Sequence, residues 1–448
     1  MFRRLLIANR GEVAVRVARA AKELSISPIG VASESDLGAR WLEVMDEVVC
    51  LGPSAARESY LAMERVVQAA LQTRCGALHP GWGFLSENPR FAALCEQHGV
   101  TFVGPPSAAM EVMGRKAPAK AAMRAAGVPV IPGSVGLLTD VEHAVACARE
   151  SGYPVILKAD AGGGGRGMRK CFDEAQLRDA YAQASAEAES AFGSGALYLE
   201  KYLEGGRHIE VQVMADRFGA CVHVGERECS VQRNHQKLVE ESPSPVLGAG
   251  ERARLGAIAV RAAQSIGYVG AGTVEFLRAD DGALYFMEMN TRLQVEHGVS
   301  ELTSGLDLVK LQLKVAAHHR LGLAQADVTS TGHAIEIRVN AEDPAQQFRP
   351  APGTLQAFDF PRDLGPGTIR VDTHMRAGDS VSPYYDSLIA KVLAHAPTRD
   401  TAIETLLRCL RACRVEGVAT TIPLHLKVLD SAEFRSGNYD TRAIPGWR

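Results

Sequence analysis

Pro154-Val155-Ile156-Leu157-Lys158 is an apolar run that closes on a lysine, and it leads into Gly162-Gly163-Gly164-Gly165-Arg166-Gly167. The glycines satisfy the spacing of a dinucleotide-binding loop, which needs a helix directly after it so that phosphate rests on the helix N-terminus. The next residues, Met168-Arg169-Lys170-Cys171-Phe172, read instead as a strand, with helix starting only near Glu174. Strand, glycine loop and strand make a flap whose bare N–H groups close over phosphates. Lys158 and Arg166 place positive charge on both sides of it.

A second constellation comes from a hairpin. Gly272–Arg278 and Leu284–Asn290 are strand-like and flank Asp280-Asp281-Gly282, where Asp-Gly is a strong hairpin signal. Taking Asp281 and Gly282 as a two-residue loop places Asp280 opposite Ala283, Leu277 opposite Phe286 and Glu275 opposite Glu288. Two carboxylates opposed beside an apolar pair demand a cation or a shared proton. Asn290, two residues beyond Glu288, adds a neutral oxygen to the same face. Oxygen ligands next to a phosphate flap favour Mg²⁺, with Mn²⁺ as a substitute. Arg292, Gln294 and Glu296 continue the alternation with Leu293 and Val295 facing the other way, so a cation, an amide and a carboxylate could hold a small oxyanion and deprotonate it.

The elements that carry these groups fall into three regions. Residues 1–106 alternate strand and helix, with Leu5–Ala8, Ile29–Ala32 and Val100–Val103 as strands and helices over Gly11–Leu24, Tyr60–Leu71 and Pro89–Gln97, which implies a doubly wound parallel sheet. Residues 107–330 hold nearly all the candidate chemistry, with 131–203 as a subdomain. Residues 331–448 bring a strand at His333–Val339, a turn at Arg349–Gly353 and a helix over Thr398–Val415. The 448 residues balance 49 basic against 52 acidic side chains, which disfavours nucleic acid and anionic membranes as partners. Nine cysteines without C-x-x-C spacing argue against a zinc site or disulfide framework and for a reducing compartment. The apolar stretch at the N-terminus is too short for a signal peptide and no run reaches the length of a membrane span, so a cytoplasmic location is expected.

Along its whole length the chain resembles the biotin carboxylases, ATP-grasp ligases that form one component of biotin-dependent carboxylases. The resemblance rests on ordered blocks: Ile7–Glu12, His79-Pro80-Gly81-Trp82-Gly83-Phe84-Leu85-Ser86-Glu87-Asn88, Gly162–Met168, Gln232–Lys237, Glu288–His297, Arg338–Asp343 and Pro383-Tyr384-Tyr385-Asp386-Ser387. It implies an α/β and α+β fold: an N-terminal doubly wound parallel sheet, a central ATP-grasp domain with a mobile lid subdomain, and a C-terminal α+β domain. It implies that Lys116, Lys158 and the flap glycines Gly163, Gly164 and Gly165 hold ATP phosphates, with His208 reaching toward them. Glu200, Lys201 and Leu203 match the strand that reads adenine, and Gln232, His235 and Leu277 enclose the nucleotide. Glu275 and Glu288 match the family's metal ligands. Lys237, Arg292, Gln294 and the Val295 backbone match the bicarbonate pocket, Glu296 the general base, and Arg338 the residue beside the biotin ureido oxygen.

Two positions depart from the family pattern. Trp82 stands where tyrosine is usual, on the biotin side of the cleft, and Gly298 replaces a usual proline in what reads as a loop beside the base. The implied activity is ATP- and bicarbonate-dependent carboxylation of biotin through carboxyphosphate, as the first half-reaction of an acetyl-CoA or other acyl-CoA carboxylase. The expected partners are a separate biotin carboxyl carrier protein, a separate carboxyltransferase and a second copy of the chain in a homodimer. The competing readings are another ATP-grasp carboxylate–amine ligase and a nucleotide-binding paralogue without catalysis.

Overall fold

The computed structural model describes residues 1–160 and 168–447. Residues 4–102 form a five-stranded parallel sheet in the order Glu47–Gly52, Ser27–Ser33, Arg4–Ile7, Ala77–His79, Thr101–Phe102. The central strand is apolar and largely buried, as a parallel strand covered on both faces must be. Helices Gly11–Glu23, Met63–Gln72 and Pro89–Gln97 cover it, the first presenting Val13, Ala14, Val17, Ala18 and Ala21 inward. After the Ala77–His79 strand the chain turns sharply at Gly81. Its φ is +64°, and a Cβ there would lie 2.7 Å from Asn9 Nδ2. That amide donates to the carbonyls of Pro80 at 2.7 Å and Trp82 at 2.8 Å, fixing where Trp82 leaves the turn.

The centre of the molecule is one eight-stranded sheet, antiparallel throughout. Its order is Leu284–Asn290, Gly270–Arg278, Arg207–Ala215, Cys221–Arg233, Gln236–Ser242, His333–Asn340, Leu388–Ala396, Thr368–Thr373. The sheet therefore crosses from the central region into the C-terminal one without interruption, through the Gln236–Ser242 and His333–Asn340 pairing. Helices Arg399–Ala412 and Ile422–Asp430 pack on the C-terminal strands, which makes that region α+β. A separate three-stranded sheet, Arg169–Cys171, Val155–Ala159 and Leu197–Lys201, carries helices Val141–Ser151 and Glu174–Phe192 around its own apolar core. The strand–loop–strand reading around the glycines is thus met on both flanks, while Gly163, Gly164 and Gly165 lie outside the described residues. Among the described residues no helix is long and apolar enough to cross a membrane.

Three local expectations need correction. First, the hairpin loop has three residues: Ala279 N–H donates to the Ala283 carbonyl at 2.8 Å, and Gly282 takes the left-handed position at φ +85°. Phe276 accordingly faces Phe286 and Leu277 faces Tyr285, rather than Leu277 facing Phe286. A bulge at Met287 then restores the register, so that Glu275 does face Glu288. Bulges favour sheet edges, and Leu284–Asn290 is the edge strand. Second, residues 291–296 are a loop, because the sheet ends at Asn290 and the chain enters the His297–Ser304 helix with Glu296 as its N-cap. Third, Gly298 lies inside that helix, buried, with no room for a Cβ: one would sit 2.5 Å from Leu393 Cδ2.

Candidate active site

A cleft of about 870 Å³ lies where the three regions meet. Its wall contains Trp82, Lys116, Lys158, His208, Gln232, His235, Lys237, Glu275, Glu288, Asn290, Arg292, Gln294, Val295 and Arg338. Glu296 lies just behind this wall, wholly buried, and contacts the cleft through Lys237 and Arg338. Glu200, Lys201, Leu203 and Leu277 are not part of the wall. Glu200 is buried between Lys120, with which it is ion-paired, and Lys158, whose Nζ donates to it at 2.5 Å. It thus orients a lysine. Lys201 spends its N–H on the Pro132 carbonyl at 2.7 Å and its ammonium on the carbonyls of Gly152 and Tyr153.

Sheet register explains most of this convergence. Arg227, Glu210, Glu275 and Glu288 occupy directly opposed positions on four neighbouring strands. Opposed residues project from the same face, so one guanidinium and three carboxylates form a row across the sheet. The row runs from deep burial to solvent. The Arg227 and Glu210 side chains are both 0% exposed, whereas Glu288 on the edge strand is 47% exposed and 3.3 Å from Lys116 Nζ. Water therefore does reach Glu288, contrary to the dry setting expected for the pair. Asn290 donates to Glu275 at 2.7 Å and accepts from Arg292 at 3.2 Å, so its oxygen faces the arginine.

Lys237 is the hub of the buried part. Its Nζ donates to Glu210 at 2.5 Å, Glu296 at 2.6 Å and Glu275 at 3.0 Å. Burial opposes the ammonium, but Glu210, Glu275 and Glu296 outweigh it and hold Lys237 well above the ordinary lysine value. Glu296 uses both oxygens, one on Lys237 and the other on Arg338 at 2.9 Å. Burial raises its pKa, yet Lys237, Arg338 and Arg227 together pull it well below the usual carboxylate range. Arg338 is held from the other side by Glu240, which accepts from Nε at 2.6 Å. Burial pushes Glu240 up to about 7, offset in part by Arg338 and reinforced by Glu296. His208 lies fully inside a buried strand rather than half-exposed. Its Nε2 is 3.1 Å from Glu275 but poorly aligned for a hydrogen bond. Burial lowers its pKa, and Glu275 more than reverses that.

The two groups of small clusters that could take a metal ion among the described residues are His208, Glu210 and Glu275, and Glu210, Cys229 and Glu296. Lys237 already donates to all three carboxylates of these clusters, Glu210, Glu275 and Glu296, so an ammonium neutralises that interior. Glu275 with Glu288, nearer solvent and Lys116, fits a hard cation better. Residues to which the sequence reading assigned no role also hold the site. Glu87 accepts from Arg292 Nε at 2.9 Å and from the Thr291 N–H at 3.0 Å, tying the N-terminal region to the 291–296 loop. Arg227 donates to Glu210 at 2.6 Å and Gln212 at 2.8 Å, and Lys391 donates to the Val295 carbonyl at 2.8 Å. A charged residue alone in an apolar strand, such as Lys391 within Leu388–Ala396, was the available signal.

Family models match residues 1–110 as the biotin carboxylase N-terminal domain, 115–324 as the carbamoyl-phosphate synthase L chain ATP-binding domain, and 336–445 as the biotin carboxylase C-terminal domain. The chain is 49% identical over 445 residues to biotin carboxylase 1 of Bacillus subtilis (strain 168), covering 99% of this chain and 98% of that protein. The chain belongs to the biotin carboxylase family. The 2-oxoglutarate carboxylase small subunit of Hydrogenobacter thermophilus is 47% identical over 99% of this chain and 93% of its own length. Among solved structures, the biotin carboxylase–βγ-ATP complex from Campylobacter jejuni superposes with a TM-score of 0.94 at 46% identity, covering 98% of each chain. The Hydrogenobacter thermophilus biotin carboxylase domain dimer, in complex with MgADP, ADP and bicarbonate, gives 0.92 at 47% identity over 99% of this chain and 97% of that one. Within this biotin carboxylase fold, five strands of the antiparallel sheet form the ATP-grasp platform, its last three belong to the C-terminal domain, and the parallel sheet is the N-terminal domain.

Proposed function

We propose that this chain uses ATP and bicarbonate to carboxylate biotin presented on a carrier protein, through carboxyphosphate, with Glu296 as the base. The observation that carries the reading is the arrangement Lys237–Glu296–Arg338, in which one buried carboxylate is held between two cations at the cleft wall. Glu296 enters the cycle already ionised. Lys237, Arg292, Gln294 and the Val295 backbone form a polar pocket into which bicarbonate fits beside it. An arriving anion competes with Glu296 for Lys237 and Arg338. Losing part of that support raises the basicity of Glu296 at the moment a proton is to be taken.

The bicarbonate oxygen then attacks the γ-phosphorus, ADP leaves, and carboxyphosphate forms. Lys116 and Lys158 face the cleft with Glu288 and Glu200 as resting counter-ions. Phosphates entering there draw both ammoniums away, which supplies the positioning and charge that phosphoryl transfer requires. Glu275 and Glu288 are oxygen donors suited to Mg²⁺, which neutralises phosphate charge when bound. Carboxyphosphate gives CO₂ and phosphate, and phosphate takes the biotin N1 proton as N1 attacks CO₂. Arg338, fixed from behind by Glu240, lies where it can stabilise the ureido oxygen. Trp82, at the N-terminal wall of the cleft, is our candidate for the surface against which biotin rests.

The residue ranges 1–106, 107–330 and 331–448, with a lid at 131–203, are our division of labour: frame, phosphate chemistry, and sheet continuation with Arg338. Relatives named as subunits support placing the carrier and transferase on other chains, and a relative described as a dimer supports a homodimer. Our reading expects an acyl-CoA as final acceptor, tested by offering acetyl-CoA, pyruvate and 2-oxoglutarate to a reconstituted system. The function itself is tested by carboxybiotin formation from labelled bicarbonate with ATP, Mg²⁺ and free biotin. Wild type should label biotin and Glu296→Ala should not; equal labelling overturns the assignment of the base.

A further inference from the structure

Lys391 lies in a strand whose only other polar side chain is His395, and its own side chain is 0% exposed. In the sheet it lies opposite Arg338 on one side and Asp372 on the other. Opposed residues share a face, so Arg338 and Lys391 rise side by side beneath the 291–296 loop. They grip consecutive residues of it. Arg338 Nη2 donates to the Glu296 carboxylate at 2.9 Å, and Lys391 Nζ donates to the Val295 carbonyl at 2.8 Å.

The rest of the Lys391 environment balances charge without competing for direction. Glu12 is 3.3 Å away and Asp372 3.7 Å away, yet neither Glu12 oxygen has a hydrogen-bond partner among the described residues. Burial opposes the ammonium, but Glu12, Glu336 and Asp372 keep its pKa above the ordinary lysine value, so the donor stays protonated. The Trp82 ring lies 5.1 Å from Nζ. Among the described residues, the one hydrogen bond of this cation is therefore spent on a backbone carbonyl at the cleft wall.

We propose that Lys391 is a positioning residue for the bicarbonate step, fixing the peptide between Val295 and Glu296 and so the direction in which the base faces the cleft. The proposal rests on the reading that this loop receives bicarbonate. A buried charged donor spent on a single carbonyl anchors one peptide plane, and with Arg338 on the next side chain the loop has two adjacent points of attachment.

The test is steady-state kinetics of the full chain with free biotin, varying bicarbonate and ATP separately. Lys391→Met is expected to raise KM for bicarbonate roughly tenfold to a hundredfold, the loss of one hydrogen bond to a charged group, with KM for ATP within about twofold. Lys391→Arg should recover part of the difference, and Asp372→Asn, which leaves the Val295 contact intact, should keep the wild-type bicarbonate KM. If Lys391→Met does not fold, Lys391→Met/Glu12→Gln removes cation and counter-ion together and is read in the same way. A folded variant with wild-type bicarbonate KM overturns the proposal, as does a parallel rise in both KM values. Glu296→Ala is run alongside: carboxybiotin formation by that variant overturns the underlying reading, whereas its inactivity with an unaffected Lys391→Met overturns only the role of Lys391.

Discussion

Replacing Lys237 by methionine removes the ammonium that Glu210, Glu275 and Glu296 share. Three hydrogen bonds to charged groups, each contributing about 1.5–3 kcal/mol, set the upper bound of the loss. The bound is not reached, because each carboxylate keeps a second partner: Arg227 at 2.6 Å, the His208 imidazole at 3.1 Å and Arg338 at 2.9 Å. A loss of about 3–5 kcal/mol is expected, as when one member of a buried ion pair is deleted. In a thermal melt of a chain of 448 residues this is a fall of roughly 3–5 °C. A second signature is pH. With Lys237 gone, at least one of the three carboxyls should have a folded-state pKa above its unfolded value. Such a group adds stability below its unfolded pKa and loses it as pH rises through the folded one. The gap between wild type and variant should therefore narrow as pH is lowered from about 7.5 to about 5.5. A variant that melts within about 1 °C of wild type, or a gap independent of pH, would refute the idea that Lys237 is the charge hub.

Three further outcomes follow from the same geometry. Burial raises Glu240 to about 7, so its neutral form adds stability at low pH that is lost as pH rises through that value; Glu240→Gln should flatten the fall in melting temperature between about pH 5 and 8. Gly298→Ala puts a Cβ 2.5 Å from Leu393 Cδ2, so it should cost about 1–3 kcal/mol, and Leu393→Ala in the same chain should return part of that in denaturant titration. Lys120→Met leaves Glu200 wholly to Lys158; KM for ATP should rise about fivefold to tenfold while KM for bicarbonate holds, and a rise confined to bicarbonate would contradict the pairing.

Much of this architecture was legible beforehand, for reasons that differ from element to element. The parallel sheet followed from short apolar runs spaced by helices, and the two strands that flank the glycines from the residue types on either side of them. The Glu275–Glu288 pair was found through two errors that cancelled. A loop taken one residue too short and an unforeseen bulge at Met287 shift the register in opposite senses. Bulges leave little trace in a single sequence, because they answer to packing at a sheet edge. The 291–296 stretch alternates polar and apolar residues like a strand although it is a loop, and its burial does not follow that alternation: the neighbours Leu293 and Gln294 are both buried. Glu87, Lys120, Glu240 and Lys391 escaped notice because each acts on a partner far away in sequence.

The continuous sheet has a consequence for how such an enzyme can change over time. Strands on either side of residue 331 are hydrogen-bonded neighbours, so a chain cut there would leave two open edges, each missing half of a ladder. Open edges invite pairing with strangers. The C-terminal quarter therefore cannot be parted from the nucleotide platform without baring both halves of that ladder.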